Sequence, residues 1–338
     1  MAKHKLIAVD LAKNIFQVCL LNRAHKVVTN KSMPRADLKV FIQQQEPTTV
    51  AMEACYSSHY WARTFQAMGH KVLLIPAQFV KPFVRGNKSD SNDAVAIAEA
   101  ALRPNLKPVT VKTIEQQNIQ CLHRIRSRYV AQRTGLVNQT RGLLSEYGII
   151  AGMGLSAFQI LLNDLCRNDS QGLCPSIIQE LKVIYDDYHQ LTENIDRITS
   201  KLSKISRDTE ACRILGSIPG IGPINATALY SAINYGQQFD NGRELAVWLG
   251  LTPKQSSSGE RMSSSGITKR GDRYLRKQLV HGARAAISRC RNKTDSLSLW
   301  ANQLVARRGI QKATVAMAAR MARIAWVLLN KREMYQAC

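Results

Sequence analysis

Short apolar runs alternate with longer amphipathic stretches over the first hundred residues. KLIAVDLA, IFQVCLL and HKVVTNK follow one another closely and predict three strands. A helix is expected near Arg35 to Gln45, then a strand in TTVAMEA, a helix through HYWARTFQAMG, a strand in HKVLLIP, and a helix opened by Asp90. Three close strands followed by α, β, α, β, α imply a mixed sheet with helices on its faces. Residues 105 to 147 read as a linker and a basic helix containing RIRSRYVAQRTGLVNQTRGLL. Further on, Ile184, Tyr188, Leu191, Ile195, Ile198, Leu202 and Ile205 recur at steps of four and three, the spacing of a coiled-coil seam. Such a seam serves either a second copy of the chain or a helix of its own chain. A last segment begins near Arg213. In it ILGSIPGIGPINATALYSAI predicts a helix end, a tight turn and a new helix from about Ile224. After the apolar segment ending at Leu249 to Pro253, the serines and glycines predict a flexible loop, and Thr268 to Arg276 enter a helix. The expected domains are 1–104, 105–212 and 213–338.

Composition narrows the partner. The chain has 338 residues, ample for two or three domains, with 47 basic and 24 acidic residues and a formal net charge of +23. No purely basic tail carries the excess, so the folded surface must hold it, and nucleic acid is the first partner to consider. Between Lys254 and Arg332 there are 18 Lys+Arg against three acids, Glu260, Asp272 and Asp295. Eight cysteines lie scattered without a C-x-x-C pair, which argues against a zinc site or a disulfide framework. The start of the chain lacks the apolar run of a signal peptide, and no segment reaches about 18 uninterrupted apolar residues. A cytoplasmic, nucleoid-associated protein without a membrane partner is expected.

Four carboxylates stand out against this basic background. Asp10 sits in LIAVDLAKN at the first strand and Glu53 follows the strand TTVAM; a carboxylate placed in an apolar strand costs desolvation energy unless something compensates it. Asp90 and Asp93, three apart, face one side of a helix N-terminus. Each has an innocent use as cap, turn former or strand end. Together they suggest a cluster that stays ionised only beside a divalent cation, and oxygen ligands without histidine suit Mg²⁺, or Mn²⁺. Two such ions about 4 Å apart can clamp the oxygens of a phosphodiester.

The last third offers a second kind of chemistry. Gly220 and Gly222 in the turn of IPGIGP would let a backbone approach phosphate, as in a helix-hairpin-helix element, although an ordinary corner between helices has the same pattern. The serine loop is flanked by Lys269, Arg270, Arg273, Arg276 and Lys277, cations that could bind nucleic acid and offset charge on a phosphoserine.

Taken in order, these segments resemble the DEDD-type transposases of bacterial insertion sequences, in particular the insertion-sequence-110 group and its 1111 branch, related to the Piv-type DNA invertases. The resemblance covers nearly the whole chain. It implies an α/β ribonuclease-H-like (RuvC-like) N-terminal domain with its four acids at Asp10 in IAVDLAKN, Glu53 in AMEA, and Asp90 and Asp93 in NKSDSNDA. It further implies a C-terminal transposase domain carrying IPGIG, GLTP, SG and ITKRGDRYLR; with the spacing read above, a helical coiled-coil middle and a mainly α C-terminal domain with a helix-hairpin-helix-like element are expected. The family's nucleophilic serine, immediately before the first glycine after GLTP, falls on Ser258. Implied with it are donor and target DNA, a structured non-coding RNA bridging them, and Mg²⁺ at the acids; because recombination joins two duplexes, a homo-oligomer, dimer or tetramer, is expected. Glu260 stands where many relatives have a small residue, and the second triplet Ser263 to Ser265 offers competing hydroxyls. The expected function is a recombinase using a phosphoserine. Its rivals are a metal-dependent endonuclease or junction resolvase that uses water, and a non-catalytic nucleic-acid-binding protein.

Overall fold

A computed structural model describes residues 6–87, 89–167, 172–258 and 261–337; within these, the side chains of 256–258 and 261–265 lie outside the description. The chain forms two compact units, Met1–Thr113 and Ile114–Cys338.

The first unit follows the alternation in its sequence. Strands β1 (Leu6–Asp10), β2 (Ile15–Leu21) and β3 (Val27–Pro34) lead into α1 (Arg35–Gln43), β4 (Thr49–Glu53), α2 (Ser58–Ala67), β5 (Lys71–Ile75), α3 (Ala77–Val80) and α4 (Asp90–Ala101). The sheet order is β3-β2-β1-β4-β5, with β1, β2 and β3 antiparallel and β1, β4 and β5 parallel. It is a mixed sheet. Ile7, Val9, Phe16, Val18, Val50 and Met52 face one side and pack with Leu38 and Ile42 of α1 and Trp61 and Phe65 of α2. Their neighbours Leu6, Ala8, Cys19 and Ala51 face the other side and pack on Ala94, Ile97 and Ala98 of α4. The period of two assigns these faces, because successive side chains of a strand point opposite ways.

The second unit is mainly helical. Its elements are α5 (Ile114–Ser145), α6 (Leu155–Arg167), α7 (Pro175–Asp208), α8 (Glu210–Gly216), α9 (Pro223–Ile233), α10 (Gly242–Trp248), β6 (Pro253–Ser258), β7 (Arg261–Ile267), α11 (Arg273–Ser288), α12 (Ser296–Arg308) and α13 (Ile310–Lys331). Ile119 of α5 packs with Ile198 and Leu202 of α7, and Val137 and Leu144 pack with Leu181 and Tyr188, so the two helices run antiparallel. Arg126 Nε donates to Thr199 Oγ1 at 2.8 Å and Arg133 to Thr192 Oγ1 at 3.2 Å along the same seam. Of the two uses that the seam allowed, the described residues take up the one within the chain. The remaining core gathers around α13, where Ala313, Met317, Ala318, Met321, Ala322 and Ala325 are all buried. Among the described residues no helix is long and apolar enough to cross a membrane.

One buried histidine ties three of these helices together. His123 of α5 lies between Tyr274 Oη of α11 at 2.9 Å and Thr227 Oγ1 of α9 at 3.0 Å. Thr227 donates its own proton to Pro223 O at 2.7 Å, so it accepts from His123 Nε2–H, and Nδ1 accepts from Tyr274. Burial, and then the neighbouring Arg126 charge, lower the His123 pKa from 6.5 to about 4. A lowered pKa means that the unfolded chain takes up the proton first, so stability is complete above pH 6.5 and is lost as pH falls toward 4. The loss should approach about 3 kcal/mol at pH 4. Denaturant midpoints between pH 7 and 4 should show this slope in the wild type and a flatter one in His123→Gln, which keeps polar atoms there without titrating. Equal slopes in the two proteins would remove His123 as its source.

Candidate active site

The face assignment brings the acids together. Asp10 follows Leu6 and Ala8 in the alternation of β1, and Glu53 follows Ala51 in β4, so both end their strands on the side that α4 covers. Ser89 caps α4, its side chain accepting from Asn92 N at 3.3 Å, so Asp90 and Asp93 stand in the first helical turn. Oxygens of Asp10, Asp90 and Asp93 lie within 4.8 Å of one another. Glu53 stands outside that triplet, yet its charge acts on Asp10 and that of Asp93 acts on it. Burial above all, then the charges of Asp93, Asp90 and Glu53, push the Asp10 carboxyl from 3.8 to about 6. Burial and then Asp93 raise that of Glu53. Anionic oxygens that repel one another at this range fit a hard divalent cation, which would relieve the repulsion.

A polar brace holds the first turn of α4, and sequence reasoning missed it. Gln17 of β2, directly opposite Asp10 in the ladder, donates from Nε2 to Asn30 Oδ1 at 2.7 Å and accepts from Ser32 Oγ at 2.6 Å. Asn30 in turn donates to Ser91 Oγ at 2.7 Å and Ser91 O at 3.0 Å, gripping α4 between the two aspartates. The signal was present: Gln17 is the polar interruption in IFQVCLL.

The serine segment is a hairpin, whereas its sequence predicts a flexible loop. β6 and β7 pair antiparallel, with Ser256 opposite Ser263 and Ser258 opposite Arg261. SSSGERMSSSG has no apolar alternation, so no period announces a strand. Ser258 ends β6; its side chain, Gly259 and Glu260 lie outside the described residues.

The GLTP and ITKRGDRYLR segments meet at the root of this hairpin. Thr268 N donates to Thr252 O at 2.9 Å and Lys269 N to Gly250 O at 3.2 Å. Gly250 and Gly271 have φ of +69° and +79°, and a Cβ on Gly250 would lie 2.1 Å from Arg270 O, one on Gly271 1.9 Å from Trp248 O. Arg276 Nη1 donates to Leu249 O at 3.0 Å and Arg270 O at 2.9 Å, while Asp272 caps α11 by accepting from Tyr274 N and Leu275 N. Gly250→Ala is therefore expected to cost more than the roughly 1–3 kcal/mol of left-handed strain, since backbone must also move. Gly69→Ala, at φ +87° just after α2 with open space around it, should cost the strain alone. Denaturant midpoints compare the two; equal losses would refute the clasp.

The other basic and glycine positions separate by what they touch. Lys269, Arg270, Arg273 and Lys277 are exposed, and Arg276 is half-buried at the hairpin root. Gly220 turns against α11: a Cβ there would lie 2.5 Å from Gly282 O, and Asn225 Nδ2 donates to both Gly220 O at 3.2 Å and Gln278 O at 3.1 Å. Its missing side chain serves helix packing. Gly222 is exposed before α9 with open space around it.

Comparison with known proteins agrees with this division of features. Residues 7–149 match the DEDD transposase family of IS110 type, and residues 212–298 match the transposase IS116/IS110/IS902 family. A probable family 20 transposase of Pseudomonas aeruginosa is 43% identical over 98% of both chains. The transposase for insertion sequence element IS1111A of Coxiella burnetii is 40% identical over 98% of this chain and 91% of its own. A pilin gene-inverting protein of Moraxella bovis is more distant, 23% identical over 81% of this chain and 80% of its own. With its sheet, its acids and its GLTP clasp in this order, the chain belongs to the IS110/IS1111 family of transposases, a family of enzymes.

Proposed function

We propose that this protein is a DNA recombinase that cuts and rejoins DNA through a phosphoserine on Ser258, with Asp10, Glu53, Asp90 and Asp93 holding Mg²⁺ and a structured non-coding RNA bridging donor and target. The acidic triplet within 4.8 Å, set in a chain of charge +23, is the observation that carries it. Carboxylates gathered at one point of a basic chain repel one another, and a divalent cation held against a nucleic-acid backbone would relieve that repulsion. When bound, the cation supplies positive charge to offset the phosphodiester oxygens.

The chain's own groups then have defined tasks. Ser258 Oγ gives up its proton to solvent and forms an ester to phosphorus as the bond to the departing DNA oxygen breaks; that oxygen takes up a proton from solvent and leaves as a hydroxyl, so no net proton is gained or lost. One phosphoester replaces another, so attack by a new DNA hydroxyl can reverse the step without an external energy source. Exposed Arg270, Arg273, Lys269 and Lys277 are suited to phosphate oxygens. Gly222 and the α9 N-terminus offer a backbone contact to phosphate. The protein acts as a homo-oligomer in the cytoplasm, on nucleoid DNA, because recombination joins two duplexes.

The test is incubation of full-length protein with its element's end-labelled DNA and Mg²⁺, with and without transcript of the flanking region. Protein-linked DNA on a denaturing gel is expected, and strand exchange only with the transcript. Cleaved DNA without any linked protein would instead identify a water-using nuclease.

A further inference from the structure

Beside the hairpin root lies a cleft of about 910 Å³, of which the proposed function uses Lys269 alone. Its floor is apolar: Val247 of α10, Ile267 of β7, and Val315, Ala316 and Ala319 of α13, with Trp300 at the side. Its rim carries Arg243, Lys269, Lys312 and Arg323, and among the described residues no acid lines it. All four cations are exposed, and among the described residues none of their side chains has an ion-pair or hydrogen-bond partner. Thr252, Pro253, Gly266 and Ile267 bring the two hairpin strands into its wall.

We propose that this cleft receives one unstacked nucleobase of the DNA strand on which the serine hairpin acts, with the flanking phosphates on the rim cations. An apolar floor suits the faces of a base, whereas unpaired cations around it suit the backbone on either side. An apolar peptide would leave the cations without partners, and a duplex lying across the rim would leave the floor empty. A single extruded nucleotide satisfies both surfaces. Extrusion costs a few kcal/mol of stacking and pairing, which the cleft would return. It would also free the strand beside the scissile phosphate from its duplex geometry. The wall's origin in β6 and β7 is the reason for choosing the substrate strand over the RNA.

The inference rests on the proposed function, and its test separates the two. Element DNA carrying 2-aminopurine at successive positions around the junction is bound by the full chain with Mg²⁺ and transcript. At one or two positions fluorescence should rise severalfold as the base leaves its stack. Val247→Glu places a carboxylate in the cleft from a side chain 55% exposed, so the fold should tolerate it. It should remove the rise and weaken DNA binding about tenfold. Val183→Glu, on exposed α7 surface, should do neither. Lys312→Gln should lower the slope of log K against log salt by about 0.9. A rise that persists in Val247→Glu overturns the proposal. So does the absence of a rise at every position, a rise from labelled transcript in place of labelled DNA, or a photo-crosslink from the cleft to a second copy of the protein. Adduct gels run on the same samples keep the outcomes apart. Adducts without a fluorescence rise sink the cleft alone, and a rise without adducts sinks the phosphoserine alone.

Discussion

Replacing Asp90 and Asp93 together by asparagine should abolish metal-dependent strand exchange while the fold and nucleic-acid binding persist. Both side chains stand in the first turn of α4, where Ser89, not either aspartate, provides the cap, so neither substitution removes a helix-starting bond. What they remove is charge. The same reasoning gives Asp10→Asn two opposite effects. Burial and three neighbouring carboxylates raise its pKa from 3.8 to about 6, so in metal-free protein the folded state holds the proton more tightly than the unfolded chain. Asp10 therefore destabilises the metal-free fold progressively as pH rises from 3.8 through 6. After discounting for its partial exposure, removing that cost should stabilise the metal-free protein by on the order of 1–2 kcal/mol at pH 7.5. Added Mg²⁺ should raise the melting temperature of the wild type and not of Asp10→Asn. Cleavage near wild-type rates in the Asp90→Asn, Asp93→Asn protein would sink the metal assignment, and a lower metal-free stability of Asp10→Asn would show that its charge is compensated in another way.

The parts of this molecule that were legible in the sequence are those written with a local period. Alternation in LIAVD and TVAME reports both the strands and the face on which their terminal acids stand, and three-residue spacing reports that Asp90 and Asp93 share a side of α4. Relations between distant segments leave no such mark. The spacing from Ile184 to Ile205 specifies that a helix must cover it but not which helix, and α5 of the same chain does so. Gly250 and Gly271 look like ordinary loop glycines until Trp248 and Arg270 are seen against them. The Gly220 turn reads in sequence as a phosphate contact or as a corner between helices, and its close packing on Gly282 leaves no mark there. His123 lies in a helix with five arginines and shows nothing in sequence of Thr227 or Tyr274, each more than a hundred residues away.

Ser258→Ala should eliminate covalent protein–DNA adducts and strand exchange together, with DNA and RNA retention unchanged. A serine hydroxyl is a weak nucleophile at neutral pH and depends on its surroundings for activation and for stabilisation of the phosphoryl charge. No histidine lies near it in sequence, His281 being 23 positions on. Its position is instead held by backbone pairing in β6 and by the clasp beneath, whose parts are Gly250, Gly271 and Arg276. Loss of the hydroxyl removes the atom that forms the ester and leaves that backbone in place, so binding should survive when chemistry does not. Ser258→Cys, which keeps a nucleophile of a different size and acidity, should form adducts at a trace level. Ser257→Ala, which leaves the Ser258 hydroxyl in place, should retain adducts. The measurement is a denaturing gel of labelled DNA with wild type, Ser258→Ala, Ser258→Cys, Ser257→Ala and Asp10→Asn. Adducts in Ser258→Ala but not in Ser257→Ala would move the nucleophile by one residue. Cleavage in Ser258→Ala with no adduct in any lane would assign the attacking oxygen to water, and the acids alone would then carry the reaction.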